Sequence, residues 1–409
     1  MEDRYESAFR DPPLLAEGRN GNMPATAAGS GCRHPLLSYT VAIDPDFVIW
    51  NKDASAMSQP TFIVGTGRCG STLLSGMFRR HRLVASFYEF FTFVCDIGGC
   101  IPDEFPGDEI DGGRFWNLLS AIGPRLNLSL RQDIAMPEIV YPYRSPAARF
   151  SAQSGVPVIL QATLPHLTSD PDALFDELRE FVLPRPIAPI RAHYDALFDW
   201  LVRRFHKRIW VERSGGVFVI LEPIYHLFPD ARFIHIVRDG RDTAISIREH
   251  CGFRLFILAT MLTEMLGVDP FYSADRTNLE RVPPPLRAFL PESFDPEVFR
   301  NYRIPLAACG QLWSQQIAKG LQVLSRLPPP SVCTVRYEDL LREPAVQIQR
   351  IAKFLGEEFV DQAWAESCAS MVRKPQSAWQ SLNENEAAEL AAACQPGFDL
   401  LRRIGIQYG

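Results

Sequence analysis

The hydrophobic pattern is most informative around residues 60–80, PTFIVGTGRCGSTLLSGMFRR. Thr61–Val64 is a short apolar, β-prone run that reads as a strand. A loop with Gly65, Gly67 and Gly70 follows. Ser71 and Thr72 then open a stretch with Leu73, Leu74, Met77 and Phe78 on one helical side. Further strands are expected at 156–160 (VPVIL), 208–213 (RIWVER), 232–237 (RFIHIV) and 331–335. Residues 171–182, 190–205, 243–249 and 306–327 carry apolar positions at helical spacing. Pro344 and Gly356 bracket another helix. Strands alternating with helices predict an α/β fold of three layers: a central, mostly parallel sheet flanked by helices.

The less periodic stretches define the domain plan. Residues 1–58 read as an N-terminal tail followed by a packing segment around Phe47, Val48, Ile49 and Trp50. Residues 59–409 read as one α/β domain, with an irregular inserted cap at about 95–150. A Pro- and charge-rich surface excursion is expected at about 267–300. Within 83–94, five aromatic residues (Phe87, Tyr88, Phe90, Phe91, Phe93) surround a single carboxylate, Glu89.

Composition narrows the function classes. A chain of 409 residues with 46% hydrophobic content has ample material for a core. A net charge of −6 and a pI near 5.8 give no overall attraction to nucleic acid or anionic membrane, so any anion site must be local. The nine cysteines are scattered without CxxC pairs, which predicts free thiols and no metal site. The apolar stretch 253–268 contains Arg254 and Glu264 and is too short to span a bilayer. A cytoplasmic protein without a transmembrane anchor is expected, and a homo-oligomer remains open.

Glycines that let backbone N–H groups approach, followed by a helix N-terminus, suit a phosphate. The spacing Gly65-x-x-x-x-Gly70-Ser71-Thr72 fits a P-loop except that Ser71 stands where Lys is usual. That argues against an ordinary ATPase or kinase. Arg68 is the loop's one cation. A second anion site is expected where strand 232–237 runs into Arg238-Asp239-Gly240-Arg241-Asp242, with Ser246 eight residues after Arg238. An Arg fork and a hydroxyl at one strand–helix junction suit a phosphate monoester. The same charges also fit a solvated cluster or a helix cap, and Asp239 fits a Walker-type Mg²⁺ ligand.

Taken together, FIVGTGRCGSTLL (62–74), FIHIVRDGRDTAIS (233–246) and VRYEDLLREPAVQIQRIAKFLG (335–356) resemble the PAPS-dependent sulfotransferases of the soluble bacterial type. The resemblance implies that Gly67, Arg68, Cys69, Gly70, Ser71 and Thr72 hold the 5′-phosphosulfate. Arg68 would neutralise the leaving oxygen, and Arg238 and Ser246 would hold the 3′-phosphate. Many members carry Lys-Thr/Ser-Pro before the 3′-phosphate strand. Here the stretch reads Glu212-Arg213-Ser214-Gly215, and Arg213 is the expected substitute for the Lys. Arg373 and Lys374 resemble a basic segment that closes over the nucleotide. Glu89 matches the position of the general base in the tyrosylprotein branch, and a carboxylate among aromatics should have a raised pKa. The competing expectation is an ion pair with Arg79, Arg80 or Arg82, and His166 is the reserve base. The implied donor is PAPS without a metal, and the expected acceptor is a hydroxyl of a small-molecule or lipid-like compound. The alternatives are a nucleotide-binding protein without turnover and a P-loop phosphotransferase.

Overall fold

The computed structural model describes residues 59–134, 136–372 and 377–408. The tail and packing segment expected at 1–58 lie outside the described residues. Five strands, Thr61–Val64 (β1), Val84–Tyr88 (β2), Ile209–Arg213 (β3), Arg232–Val237 (β4) and Val332–Arg336 (β5), form one sheet. Their order is β2-β3-β1-β4-β5 and every pairing is parallel. Helices cover both faces, which is why the inner strands read as continuous apolar runs.

Side-chain alternation sends successive residues to two separate cores. Phe62 and Val64 join Phe87, Trp210 and Phe233 on one face. Ile63 joins Leu74, Val211, Ile234 and Val335 on the other. Phe62 is the hub of the first: its ring centroid lies 5.3 to 5.9 Å from those of Phe91, Trp210, Phe228 and Phe233. On the second face Leu74, Met77 and Phe78 of Ser71–Arg79 (α1) are fully buried, as the helical spacing predicts.

Parallel strands put all their carboxyl ends on one edge of the sheet, and the register keeps those ends level. Arg213 pairs with both Ile63 and Tyr88, Val64 pairs with His235, and Val237 pairs with Arg336. The chain leaves β1 for the far edge at β2, returns beside β1 as β3, and crosses to β4. The direction of winding therefore reverses next to β1, where open α/β sheets bind ligands.

The structure corrects one strand expectation and adds detail in three other stretches. Residues 156–160 are not a strand: Val158–Gln161 is one short helical turn, buried throughout. A brief apolar run does not distinguish a buried strand from a buried helix, and the sheet edge is already taken by β2. The aromatic stretch after α1 divides into β2 and the short helix Phe90–Val94 (α2), with Glu89 as the joint. The cap contains the helices Ile101–Glu104, Gly112–Leu119 and Pro124–Arg131. The excursion also buries side chains, among them Val282, Leu286, Phe289 and Phe299. Cap and excursion are tied at depth. The Arg125 guanidinium, 2% exposed at its side chain, pairs with Asp269 at 2.6 Å and donates to the Ile97 carbonyl at 2.8 Å.

Candidate active site

The loop after β1 is a left-handed turn: Gly67, Arg68 and Gly70 have φ of 74°, 53° and 94°. Gly70 is the N-cap of α1, and no side chain caps that helix end. A Cβ at Gly70 would sit 2.2 Å from the Tyr337 ring, so only glycine allows this approach. The result is a helix N-terminus without a capping side chain at its N-cap, whose dipole favours an anion. The Cys69 thiol is fully buried beneath Gly65.

Arg213, the last residue of β3, reaches this helix start from below. Its Nε donates to Ser71 Oγ at 3.0 Å, Nη2 donates to Thr72 Oγ1 and Nη1 donates to Glu89 Oε1. Its side chain is 3% exposed, and its guanidinium lies over the Tyr88 ring, 4.9 Å from the centroid.

Glu89 stands at the tip of β2 in a left-handed conformation, φ 55°. Its Oε2 accepts the Gly215 N–H at 2.8 Å. Its counter-ion is Arg213, across the sheet, and not Arg79, Arg80 or Arg82. Burial pushes its carboxyl above the ordinary range, against the opposing pull of the Arg213 charge. The reserve base, His166, is elsewhere: its Nδ1 lies 3.3 Å from Arg79 Nη1 and its ring packs on Tyr88. Burial and the Arg79 charge push it down to about 4.

The second junction adjoins the first. Arg238 Nη1 donates to the Arg68 carbonyl at 3.2 Å, and its guanidinium lies over the Tyr337 ring, 5.0 Å from the centroid. Arg68 Nε in turn donates to Ser246 Oγ at 3.0 Å. The remaining charges of the RDGRD stretch are structural. Asp239 caps Gly240–Glu249 through the Arg241 N–H and pairs with the Arg241 guanidinium at 2.6 Å. Asp242 accepts from Ser377 Oγ and the Trp379 N–H. Arg238 forms no ion pair among the described residues. Arg373 and Lys374 lie outside the described residues.

A cavity with ≈ 770 Å³ of empty space, open to solvent, extends from Arg68, Glu89 and Arg213. Phe93, Ile97, Met136, Val219, Phe253 and Phe256 form apolar walls. Two further groups at its polar end were not singled out from sequence as site residues, Glu138 and His250. His250 Nδ1 accepts the Phe253 N–H at 3.4 Å, which fixes the proton on Nε2, 3.0 Å from Glu138 Oε1. Both ring nitrogens are thus engaged, and His250 has no lone pair free for a proton from a substrate. Burial pushes the Glu138 carboxyl up. The hydrogen bond from His250 and the Arg213 charge outweigh it and hold the group at about 2. Glu138 also lies 3.8 Å from Arg68 Nη1. The site thus holds two carboxyl groups pushed in opposite directions. Among the described residues, no group of three or more His, Cys, Asp or Glu is placed to hold a metal ion. No helix among them is long and apolar enough to cross a membrane.

A helix start with a glycine N-cap and an adjoining Arg–Ser junction lie side by side at the carboxyl edge of a parallel sheet, an arrangement of the kind that suits anions. Two sulfotransferase family models match the chain between residues 161 and 390: that described as Sulfotransferase domain matches residues 219–390, and that described as Sulfotransferase family matches 161–267. The glycine loop lies before both ranges. The structure is similar to that of the sulfotransferase domain from the Synechococcus PCC 7002 olefin synthase. Identity there is 15%, coverage is 88% of this chain and 100% of that chain, and the TM-score is 0.39. It is also similar to sulfotransferase STF9 from Mycobacterium avium (17% identity, 86% and 78% coverage, TM-score 0.39). A third similar structure is a sulfotransferase from Alicyclobacillus acidocaldarius (15% identity, 86% and 98% coverage, TM-score 0.35). No curated protein sequence matches the chain.

Proposed function

We propose that this protein is a sulfotransferase that uses PAPS as donor and transfers its sulfuryl group to a hydroxyl of an apolar, lipid-like small molecule, with Glu89 as general base. Bound PAPS would supply the activated sulfuryl group, and the chain would supply position, charge and a proton acceptor. The observation that carries the reading is the contact between the two junctions: Arg238 on the Arg68 carbonyl and Arg68 on Ser246. One ligand with phosphates at both ends would span them. The α1 N-terminus, Ser71, Thr72 and Arg213 would hold the 5′ end, and Arg238 with Ser246 the 3′-phosphate. Arg68, between them, is suited to neutralise charge developing on the leaving oxygen.

Glu89 lines the cavity beside Arg68. A carboxylate with a raised pKa is a stronger proton acceptor than one held near 2, which supports Glu89 as the base and Glu138 as a fixed anion. The apolar walls favour an aliphatic or aromatic alcohol over a sugar. The test is turnover of labelled PAPS against alcohols, phenols, lipids and sugars by wild type and Glu89→Gln, with binding of 3′,5′-bisphosphoadenosine measured alongside. Expected are activity on apolar hydroxyls and a loss of about 10²- to 10⁴-fold in kcat for Glu89→Gln with nucleotide affinity kept. Full turnover by Glu89→Gln would remove the base assignment, and activity confined to sugars would remove the acceptor class.

A further inference from the structure

Glu212 is a carboxyl group that the proposed reaction does not use. It is fully buried on β3, its register partners are Phe62 on β1 and Phe87 on β2, and its Oε2 has no hydrogen-bond partner. Burying a carboxyl among aromatic rings opposes folding, so the group must be judged by what it holds. Its Oε1 accepts the Ser214 hydroxyl at 2.6 Å. Ser214 Oγ accepts the Thr92 N–H at 3.0 Å, and Thr92 Oγ1 donates to the Gly215 carbonyl at 3.0 Å. The Gly215 N–H then donates to Glu89 Oε2. These linked hydrogen bonds pin the turn after β3 to the first turn of α2, the helix that Glu89 begins.

We infer that Glu212 is a positioning residue for Glu89: through Ser214 it holds the 214–216 turn so that the Gly215 N–H meets the Glu89 carboxyl and turns its remaining lone pairs to the cavity. Close approach also requires a small residue at Gly215, where a Cβ would lie 3.2 Å from Glu89 Oε1. Burial pushes the Glu212 carboxyl up to about 8, so the group is neutral at pH 7 and presents a carbonyl-type oxygen to Ser214. An amide offers the same acceptor, whereas an aliphatic side chain offers none. The role given to Glu89 rests on the function proposed above. The geometric claim, that Glu212 sets the turn, is independent of it.

The test uses the full chain as wild type, Glu212→Leu, Glu212→Gln, Glu89→Gln and the double variant Glu89→Gln with Glu212→Leu. Each is assayed for labelled-PAPS turnover with 1-octanol and for calorimetric binding of 3′,5′-bisphosphoadenosine, and Glu212→Leu and Glu212→Gln are crystallised. Glu212→Leu is expected to reduce kcat about tenfold with KM for PAPS and bisphosphate affinity within twofold, and to break the Gly215–Glu89 hydrogen bond. Glu212→Gln is expected to rescue both. Glu212→Leu in the Glu89→Gln background should cause no further loss, because the two act as one unit. Should Glu212→Leu fail to fold, Ser214→Ala cuts the same series of hydrogen bonds and carries the same expectations. A Gly215–Glu89 hydrogen bond unchanged in the Glu212→Leu crystal, or a Glu212→Gln variant as impaired as Glu212→Leu, overturns the inference. If Glu89→Gln turns over fully while Glu212→Leu breaks that hydrogen bond, the base assignment alone is removed and the positioning claim stands.

Discussion

Removing the charge of Arg213 tests the centre of the site. Arg213→Met keeps much of the side-chain volume and takes away the donors to Ser71, Thr72 and Glu89. Both charges are nearly inaccessible, at 3% side-chain exposure each. Removing one partner of such a pair costs about 3–5 kcal/mol, because the other charge is left buried and uncompensated. At about 1.4 kcal/mol per pKa unit, that penalty pushes the Glu89 carboxyl up by roughly 2–4 further units. The direction with pH follows. In the variant, folded Glu89 keeps a proton that the unfolded chain releases above about pH 4.3. Relative to wild type, whose own Glu89 carboxyl is raised by burial, the charge penalty is absent below the wild-type folded pKa and grows by about 1.4 kcal/mol per pH unit above it. It levels off once the folded pKa is passed. Urea unfolding should show Arg213→Met destabilised by about 1–2 kcal/mol at pH 5, from the neutral groups left unpaired, and much more strongly at pH 8. In the Glu89→Gln background the loss at pH 8 should shrink to about 1–2 kcal/mol, the cost of unpaired neutral groups. Equal losses at pH 8 in the two backgrounds, or a loss independent of pH, would refute the claim that this pair is the electrostatic core of the site.

Other measurements probe the remaining parts. Arg238→Ala should weaken 3′,5′-bisphosphoadenosine binding by about 10- to 100-fold, the worth of a charge-assisted contact, while AMP, which lacks the 3′-phosphate, binds as to wild type. Equal weakening of both nucleotides would move Arg238 out of the 3′-phosphate role. Because the Glu89 carboxyl is raised by burial and must be ionised to accept a proton, kcat should fall on acidification through a pKa above the ordinary carboxylate range. An acid limb at or below pH 4.5 contradicts this. Glu212 is neutral in the folded protein up to about pH 8 but ionises in the unfolded chain near pH 4.3, so wild-type stability should decline with rising pH between these values. Glu212→Gln should make that decline shallower by up to about 1.4 kcal/mol per pH unit, read by denaturant midpoints across the range, and an unaltered slope would exclude the buried neutral carboxyl.

Features whose cause is local could be read from the chain alone. The glycines at 67 and 70 and the capless start of α1 follow from backbone freedom within a few residues. The strand-to-helix junction at Arg238 follows from an apolar run meeting Asp239, a capping residue. The parallel sheet with helices on both faces was equally legible, because four of its strands alternate with clear helical patterns. The run at 156–160 misled because an apolar stretch so short fits a buried strand and a buried helix alike. The partner of Glu89 was settled only in three dimensions. The nearby arginines 79, 80 and 82 were the reasonable candidates along the chain, yet the carboxylate meets Arg213, 124 residues away. Strand order set that pairing by laying β3 beside β2 with Tyr88 opposite Arg213. Glu138 and His250 entered the site in the same way, one from the cap and one from the end of Gly240–Glu249, with no motif to mark either. Local dihedral and capping preferences act over one turn and are written in consecutive residues. Charge pairing acts through space, and only the packed sheet selects which distant groups share a buried, low-dielectric pocket.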